Sequence, residues 1–157
     1  MESTPNVDYP GEFLATVDVE SVIDGDTVRV VLEGETVKVR ILGIDTPETE
    51  GYRPAECWGE EAATYAGEFM EDKRIHLFTE ESQGKYDQYD RLLAYVVTED
   101  GVNYSVQAVG DGMARYSDRE DNPLALGDVL AVAEAAAKSE KLGLWGPPCN
   151  GDKGFPE

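Results

Sequence analysis

Phe13-Leu14-Ala15-Thr16-Val17-Asp18-Val19-Glu20, then Val28-Arg29-Val30-Val31-Leu32-Glu33-Gly34-Glu35-Thr36-Val37-Lys38-Val39-Arg40-Ile41, carry the reading that decides the fold. Phe13, Ala15, Val17 and Val19 alternate with more polar neighbours, the period of a strand with one buried face. Val28, Val30 and Leu32 form a second such face, and Val37, Val39 and Ile41 a third. Glu33-Gly34-Glu35 between them reads as a hairpin turn. The first 43 residues are therefore expected to form a strand meander.

After this stretch the period changes. From Gly59 to Asp72, Ala62, Tyr65, Ala66, Phe69 and Met70 fall on one helical face. Glu60 and Glu61 occupy the first turn, where the helix dipole favours anions. Ile75 to Phe78 and Leu92 to Val97 read as two further strands, joined by the polar loop 80–90. Asn103 is placed to cap a short helix burying Val106, Val109 and Met113. Asn122 and Pro123 read as the start of a last helix, with Leu126, Leu130, Ala133 and Ala137 as its buried stripe. Lys138 and Lys141 suit its last turn and Gly143 its end. Five strands and three helices fit a five-stranded Greek-key barrel with appended helices. The count alone leaves other α+β arrangements open.

The chain has 157 residues, the size of one domain. Residues 1–11 read as a flexible lead-in, 12–146 as the domain, and 147–157 as a tail. With 33 acidic against 13 basic side chains, the formal net charge is −20. The 41% hydrophobic fraction argues against disorder despite that charge. No apolar run approaches the roughly 20 residues of a membrane span. The first residues are polar and have no apolar core, so they are not read as a signal peptide. So acidic a chain argues against a basic face for nucleic acid.

Three clusters are candidates for chemistry. Asp24-Gly25-Asp26-Thr27 has turn-forming residues at the entrance to a strand. An EF-hand loop does not fit, because Val28 and Arg29 would stand at its fifth and sixth positions. Arg40-Ile41-Leu42-Gly43-Ile44-Asp45-Thr46-Pro47-Glu48 carries acids just past a strand end. Asp87-Gln88-Tyr89-Asp90-Arg91 leads into Leu92-Leu93-Ala94-Tyr95. Each alone reads as an ordinary turn or solvated loop. Together they supply two carboxylates (Asp26, Asp45) and the Thr46 carbonyl for a hard cation. Arg40 and Arg91 add two guanidinium forks for phosphate, and Glu48 a carboxylate to act on water. That combination is what phosphodiester hydrolysis needs.

On these stretches the chain resembles the staphylococcal-nuclease (thermonuclease) family. Weaker support comes from Gly59-Glu60-Glu61-Ala62, from Val109-Gly110-Asp111-Gly112-Met113-Ala114 and from Lys141-Leu142-Gly143-Leu144-Trp145. The matches run in family order from about residue 13 to residue 146. The resemblance implies an OB-fold barrel with three helices and a Ca²⁺-dependent nuclease acting on DNA and RNA. In it Asp26 and Asp45 match the metal carboxylates, and Thr46 gives its backbone carbonyl. Glu48 matches the residue assigned as general base or water-orienting group. Arg40 and Arg91 match the phosphate-binding arginines. Water attacks phosphorus and the 5′-oxygen leaves, giving 3′-phosphate ends. Asp87 and Tyr89 match a substrate-side loop, with Tyr89 a hydroxyl donor to a terminal phosphate. A monomer is implied, with no membrane partner.

Two departures stand out. Asp90 replaces the family's glycine before the arginine, which asks an Asp to take a glycine-like backbone. The run Arg115-Tyr116-Ser117-Asp118-Arg119 does not reproduce the family's paired substrate tyrosines. An inactive OB-fold module that binds nucleic acid or protein is therefore the alternative reading, although all five core catalytic positions are present.

Cys57 and Cys149 are the only cysteines. They are either unrelated thiols or one disulfide tying the tail to the start of the first helix. A disulfide would fit an oxidising compartment. Two cysteines exclude a four-thiolate zinc site. His76 is expected to face solvent or a helix, and Trp58 and Trp145 to pack. Many acids with only six lysines resemble a halophile's surface, which gives salt screening as the route past the repulsion.

Overall fold

The alternation from Phe13 onward belongs to one long strand, β1 (Glu12–Asp24), that serves two neighbours. The structure is a computed structural model describing residues 6–48, 56–118 and 123–153. The first half of β1 pairs with β5 (Arg74–Thr79) and its second half with β2 (Thr27–Leu32), both antiparallel. Register shifts at Phe13/Ala15, Val19/Ser21 and Val22/Asp24 bend it, as bulges do where a sheet curls into a barrel. β2 returns as β3 (Glu35–Ile41) through Glu33-Gly34, with φ of 52° and 80°. Positive φ at both turn residues is the two-residue hairpin geometry that matches strand twist.

β6 (Leu92–Thr98) closes the barrel, pairing parallel with β3 and antiparallel with β5. The order β1-β2-β3-β6-β5 is a closed five-stranded barrel. With α1 (Gly59–Met70), α2 (Tyr104–Gly110) and α3 (Gly127–Ser139), this is an α+β OB-fold. A small second ladder joins β4 (Ile44–Asp45) to β7 (Arg115–Tyr116). The tail makes a single 3-10 turn over Gly143–Trp145.

Val17, Val19, Val28, Val30, Val39, Ile41, Ile75 and Leu77 fill the core. β6 from Leu92 to Val97 is buried on both faces, because α2 packs on its outer side. α1 buries Ala62, Ala66 and Met70, while Tyr65, Phe69 and Tyr104 stack with ring centroids 5.0–6.1 Å apart. Asn103 caps α2, its side chain accepting from the Val106 N–H at 3.3 Å. Ahead of β1, the Val7 carbonyl accepts from Asn103 Nδ2 at 2.7 Å, and Tyr9 lies edge-on to Phe78. His76 pairs with the Thr16 hydroxyl at 2.8 Å. No helix among the described residues is long and apolar enough to cross a membrane.

Three local expectations fail. Phe13 is 58% exposed; the shift before Ala15 turns it out of the inward face to pack edge-on with Phe78 and His76. The last helix starts at Gly127, after Pro123, and Asn122 lies outside the described residues. The cause is tertiary: the Glu80 carboxylate accepts from the Ala125 N–H at 3.1 and 3.2 Å, holding that segment in a turn ahead of the helix, where the Gly127 N–H donates to the Leu124 carbonyl at 3.0 Å. That helix also stops before Lys141, whose φ of 55° is left-handed.

Candidate active site

The β2–β3 register sets Thr27 opposite Arg40, and the Ile41 N–H donates to the Asp26 carbonyl at 2.9 Å. The Asp24–Thr27 turn therefore lies against the end of β3. Gly25 is required there: a Cβ on it would stand 2.7 Å from the Thr46 side chain. α2 clamps both segments from behind. The Tyr104 hydroxyl donates to the Gly25 carbonyl and the Ser105 hydroxyl to the Leu42 carbonyl, each at 2.6 Å.

Asp26 is the hub. Only 4% exposed, it accepts from the Thr27 hydroxyl at 3.0 Å and the Thr46 N–H at 3.1 Å, and lies 3.5 Å from Arg40 Nη2. Burial alone would favour its neutral form. Arg40, Asp24, Thr46 and Thr27 outweigh that and hold Asp26 below the usual carboxylate range. Asp24 carries the opposite burden: burial and the Asp26 charge push it up to about 7. Sequence reading left Asp24 in a turn and missed this electrostatic role, although it stood inside the quoted motif.

Asp45 and Glu48 lie on the exit from β4. Burial raises both, and so does the charge on Asp26; Lys153 and Arg40 partly offset the rise at Asp45. Lys153 Nζ lies 3.9 Å from the Asp45 carboxylate. The Glu48 N–H donates to the Glu56 carboxylate at 2.8 Å, and the Glu56 N–H to the Glu48 carbonyl at 2.9 Å. Next to Glu56, Cys57 is bonded to Cys149, with Cα atoms 5.7 Å apart.

The arginines meet in a cleft of about 160 Å³ lined by Arg40, Asp87, Arg91, Ser117, Asp118 and Leu124, among others. Asp87 fixes Arg91: its carboxylate accepts from Arg91 Nε at 2.7 Å and from the N–H groups of Tyr89 and Arg91 at 2.9 and 3.0 Å. Burial opposes ionisation of Asp87, but these donors win and hold it below the ordinary range. Asp90 adopts φ 60°, the glycine-like backbone asked of it. Tyr89 is 68% exposed, its ring 5.4 Å from the Arg91 guanidinium, outside the Arg40 cleft. Arg40 connects the two halves, facing Asp26 on one side and the cleft on the other.

A hard cation fits the carboxylate half. Asp26, Asp45 and the Thr46 carbonyl are oxygen donors, the chemistry such ions prefer. Burial first, and then the charge on Asp26, raises the proton affinity of Asp24, Asp45 and Glu48. The Thr46 hydroxyl is buried there without a hydrogen-bond partner among the described residues. No set of three or more His, Cys, Asp or Glu side chains gathers at one point among those residues. The fit thus rests on two carboxylates and a backbone oxygen.

Sequence reading missed Ser117, Asp118 and Leu124, which reach the cleft only through β7 and the segment before α3. Arg119, at the end of the unmatched run, lies outside the described residues.

Known proteins are similar to this chain in sequence. The chain is 33% identical over 135 residues to Endonuclease YncB of Bacillus subtilis (strain 168), 84% of this chain and 62% of that protein. It is 34% identical over 148 residues to SPbeta prophage-derived endonuclease YokF of the same organism, 90% and 48% respectively. With the Thermonuclease of Staphylococcus intermedius it shares 30% over 131 residues, 81% and 74%. The chain thus spans about half to three-fifths of the two Bacillus proteins. Residues 38–147 match the family described as Staphylococcal nuclease homologue, and with most of the chain covered, it belongs to that family.

Proposed function

We propose that this domain is a Ca²⁺-dependent endonuclease that hydrolyses DNA and RNA to products with 3′-phosphate ends. One observation carries the reading: Arg40 touches the Asp26 carboxylate and also lines the cleft that holds Arg91. A phosphate held there would lie beside the carboxylate cluster. The names of the relatives, endonuclease and thermonuclease, support the same reaction class.

Arg40 and Arg91 bind the scissile phosphate through their planar forks and neutralise charge as the transition state forms. Asp87 holds Arg91 in place for that contact. Glu48 orients the attacking water and takes its proton, a role suited to a carboxylate whose proton affinity is raised. Water attacks phosphorus in line, and the 5′-oxygen leaves. Asp26, Asp45 and the Thr46 carbonyl would hold the cation. When bound, that cation supplies Lewis-acid polarisation of the phosphate and charge neutralisation. Tyr89 and Asp87 border the path of the strand.

The protein is proposed to act as a monomer. Its disulfide suits an oxidising, extracellular setting. Its net charge of −20 suits a salt-rich solution, because at molar ionic strength the Debye length falls to about 3 Å. Digestion of denatured DNA and of RNA with Ca²⁺, and with excess chelator, tests the reading. Cleavage that stops on chelation and leaves 3′-phosphate ends is expected. Binding without cleavage would favour the non-catalytic module, and full activity in chelator would overturn the metal role.

A further inference from the structure

The arginines of the cleft proposed to take the phosphate are already paired. Its charged lining side chains among the described residues are Arg40, Arg91, Asp87 and Asp118, two of each sign. Both cations already have partners: Arg91 lies 2.7 Å from Asp87, and Arg40 lies 3.5 Å from Asp26 while Nη1 donates to the Ile41 carbonyl at 2.7 Å. Asp87 is committed to shaping its own loop through the Tyr89 and Arg91 N–H groups. Asp118 has no such duty to the arginines. It lines the same cleft from just beyond β7, where its carboxylate accepts from the Tyr116 hydroxyl.

We propose that Asp118 is a specificity-determining residue that makes this cleft select internal phosphodiesters over terminal phosphomonoesters. The proposal rests on the nuclease reading above and deepens it. A diester phosphate carries one negative charge. A terminal monoester has a second pKa of about 6 and carries close to two at neutral pH. Guanidinium forks can hold either by geometry. The second charge of a monoester would enter a cleft whose two described arginines are already paired, and it would share that cleft with the Asp118 carboxylate. The cleft then favours cutting within a strand over trimming from a phosphorylated end.

The test compares thymidine pentanucleotides that differ only in their ends: both hydroxyl, 5′-phosphate, or 3′-phosphate. NMR titration of the whole protein in excess chelator gives affinities without turnover. At pH 7.5 the wild type is expected to bind the hydroxyl-ended strand at least as tightly as either phosphorylated one. Asp118→Asn should shift the preference toward the phosphorylated strands by about three- to fivefold, the range of a single exposed charge. At pH 5 the monoester becomes a monoanion, and wild type and variant should converge. A purely structural role for Asp118 would not produce that convergence. A wild-type preference for phosphorylated ends, an unchanged ratio in Asp118→Asn, or no binding of any strand overturns the proposal. Cleavage of long DNA is scored separately. Cleavage without the end preference defeats this proposal alone, and the end preference without cleavage defeats the nuclease reading alone.

Discussion

Reducing the Cys57–Cys149 bond is expected to lower the stability of the fold by several kcal/mol. The bond closes a loop with a sequence separation of 92 residues. In the chain-entropy model a loop of that length restrains the unfolded chain by about 15.6 cal/mol/K, or about 4.6 kcal/mol at 25 °C. Both cysteines are 2% exposed, so the bond itself is buried where it ties two segments together. One holds Glu56, hydrogen-bonded to Glu48 in both directions. The other leads to Gly151 and Lys153, whose carbonyls accept from Arg115 Nη2 at 2.8 Å and the Cys57 N–H at 2.7 Å. For a chain of this size a loss of 1 kcal/mol lowers Tm by about 2–4 °C. The expected fall on reduction is therefore about 9–18 °C.

Calorimetry with and without reductant measures it, with free thiols counted to confirm that the bond has opened. Urea unfolding gives the same quantity independently: the midpoint should fall with the slope little changed if the native state keeps its surface. A Tm shift under 3 °C with two free thiols per chain would refute the reasoning. It would mean that the tail contacts alone hold the two ends together.

The remaining predictions concern the site and its solvent. Arg40→Ala and Arg91→Ala are each expected to cut turnover by about 10²–10³-fold, the range for removing a donor to transition-state charge, while circular dichroism shows the fold retained; wild-type rates in either would remove that arginine from the machinery. Asp87→Asn should cost about 1–2 kcal/mol at pH 7, since a charged acceptor of three hydrogen bonds is lost. Because the folded Asp87 carboxyl titrates below its ordinary value, its contribution is full above the unfolded pKa and is lost as pH falls through the folded one; urea unfolding of wild type and variant should converge below about pH 4, and a gap that widens in acid would contradict it. Folding and cleavage should both improve as salt rises toward molar, and an optimum at low ionic strength with decline above it would count against the screening argument.

The barrel was legible because its evidence is local. Alternation in β1 to β3, the Glu33-Gly34 turn and the Asn103 cap each depend on residues within a few positions, and the structure holds each of them. Asp90 was legible in the same way, since only the backbone at one residue was at issue. What could not be read was set by partners far along the chain. The late start of α3 depends on Glu80, 45 residues before Ala125. The outward turn of Phe13 depends on a register shift against β5. The acids and arginines of the site sit inside quoted motifs, but their pairing does not. That Arg91 belongs to Asp87 follows from a four-residue spacing; that Asp118 faces the same cleft follows only from the path through β7.

That distinction bears on the charge of −20. A basic face would draw a polyanion from a distance and make affinity fall steeply with salt. Here the candidate cations are spoken for locally, Arg91 by Asp87 and Arg40 by Asp26. They have little field to project beyond their partners, and the acidic surface opposes any approach. Attraction therefore cannot come from long range. In the proposed reading it arises after contact, when a phosphate would take over guanidinium donors that the carboxylates now hold. Salt removes the repulsion outside the cleft more effectively than the short contacts inside it, because pairs closer than the Debye length are screened least. An acidic protein can handle a polyanion on those terms, through the geometry of two forks in place of the sign of a surface.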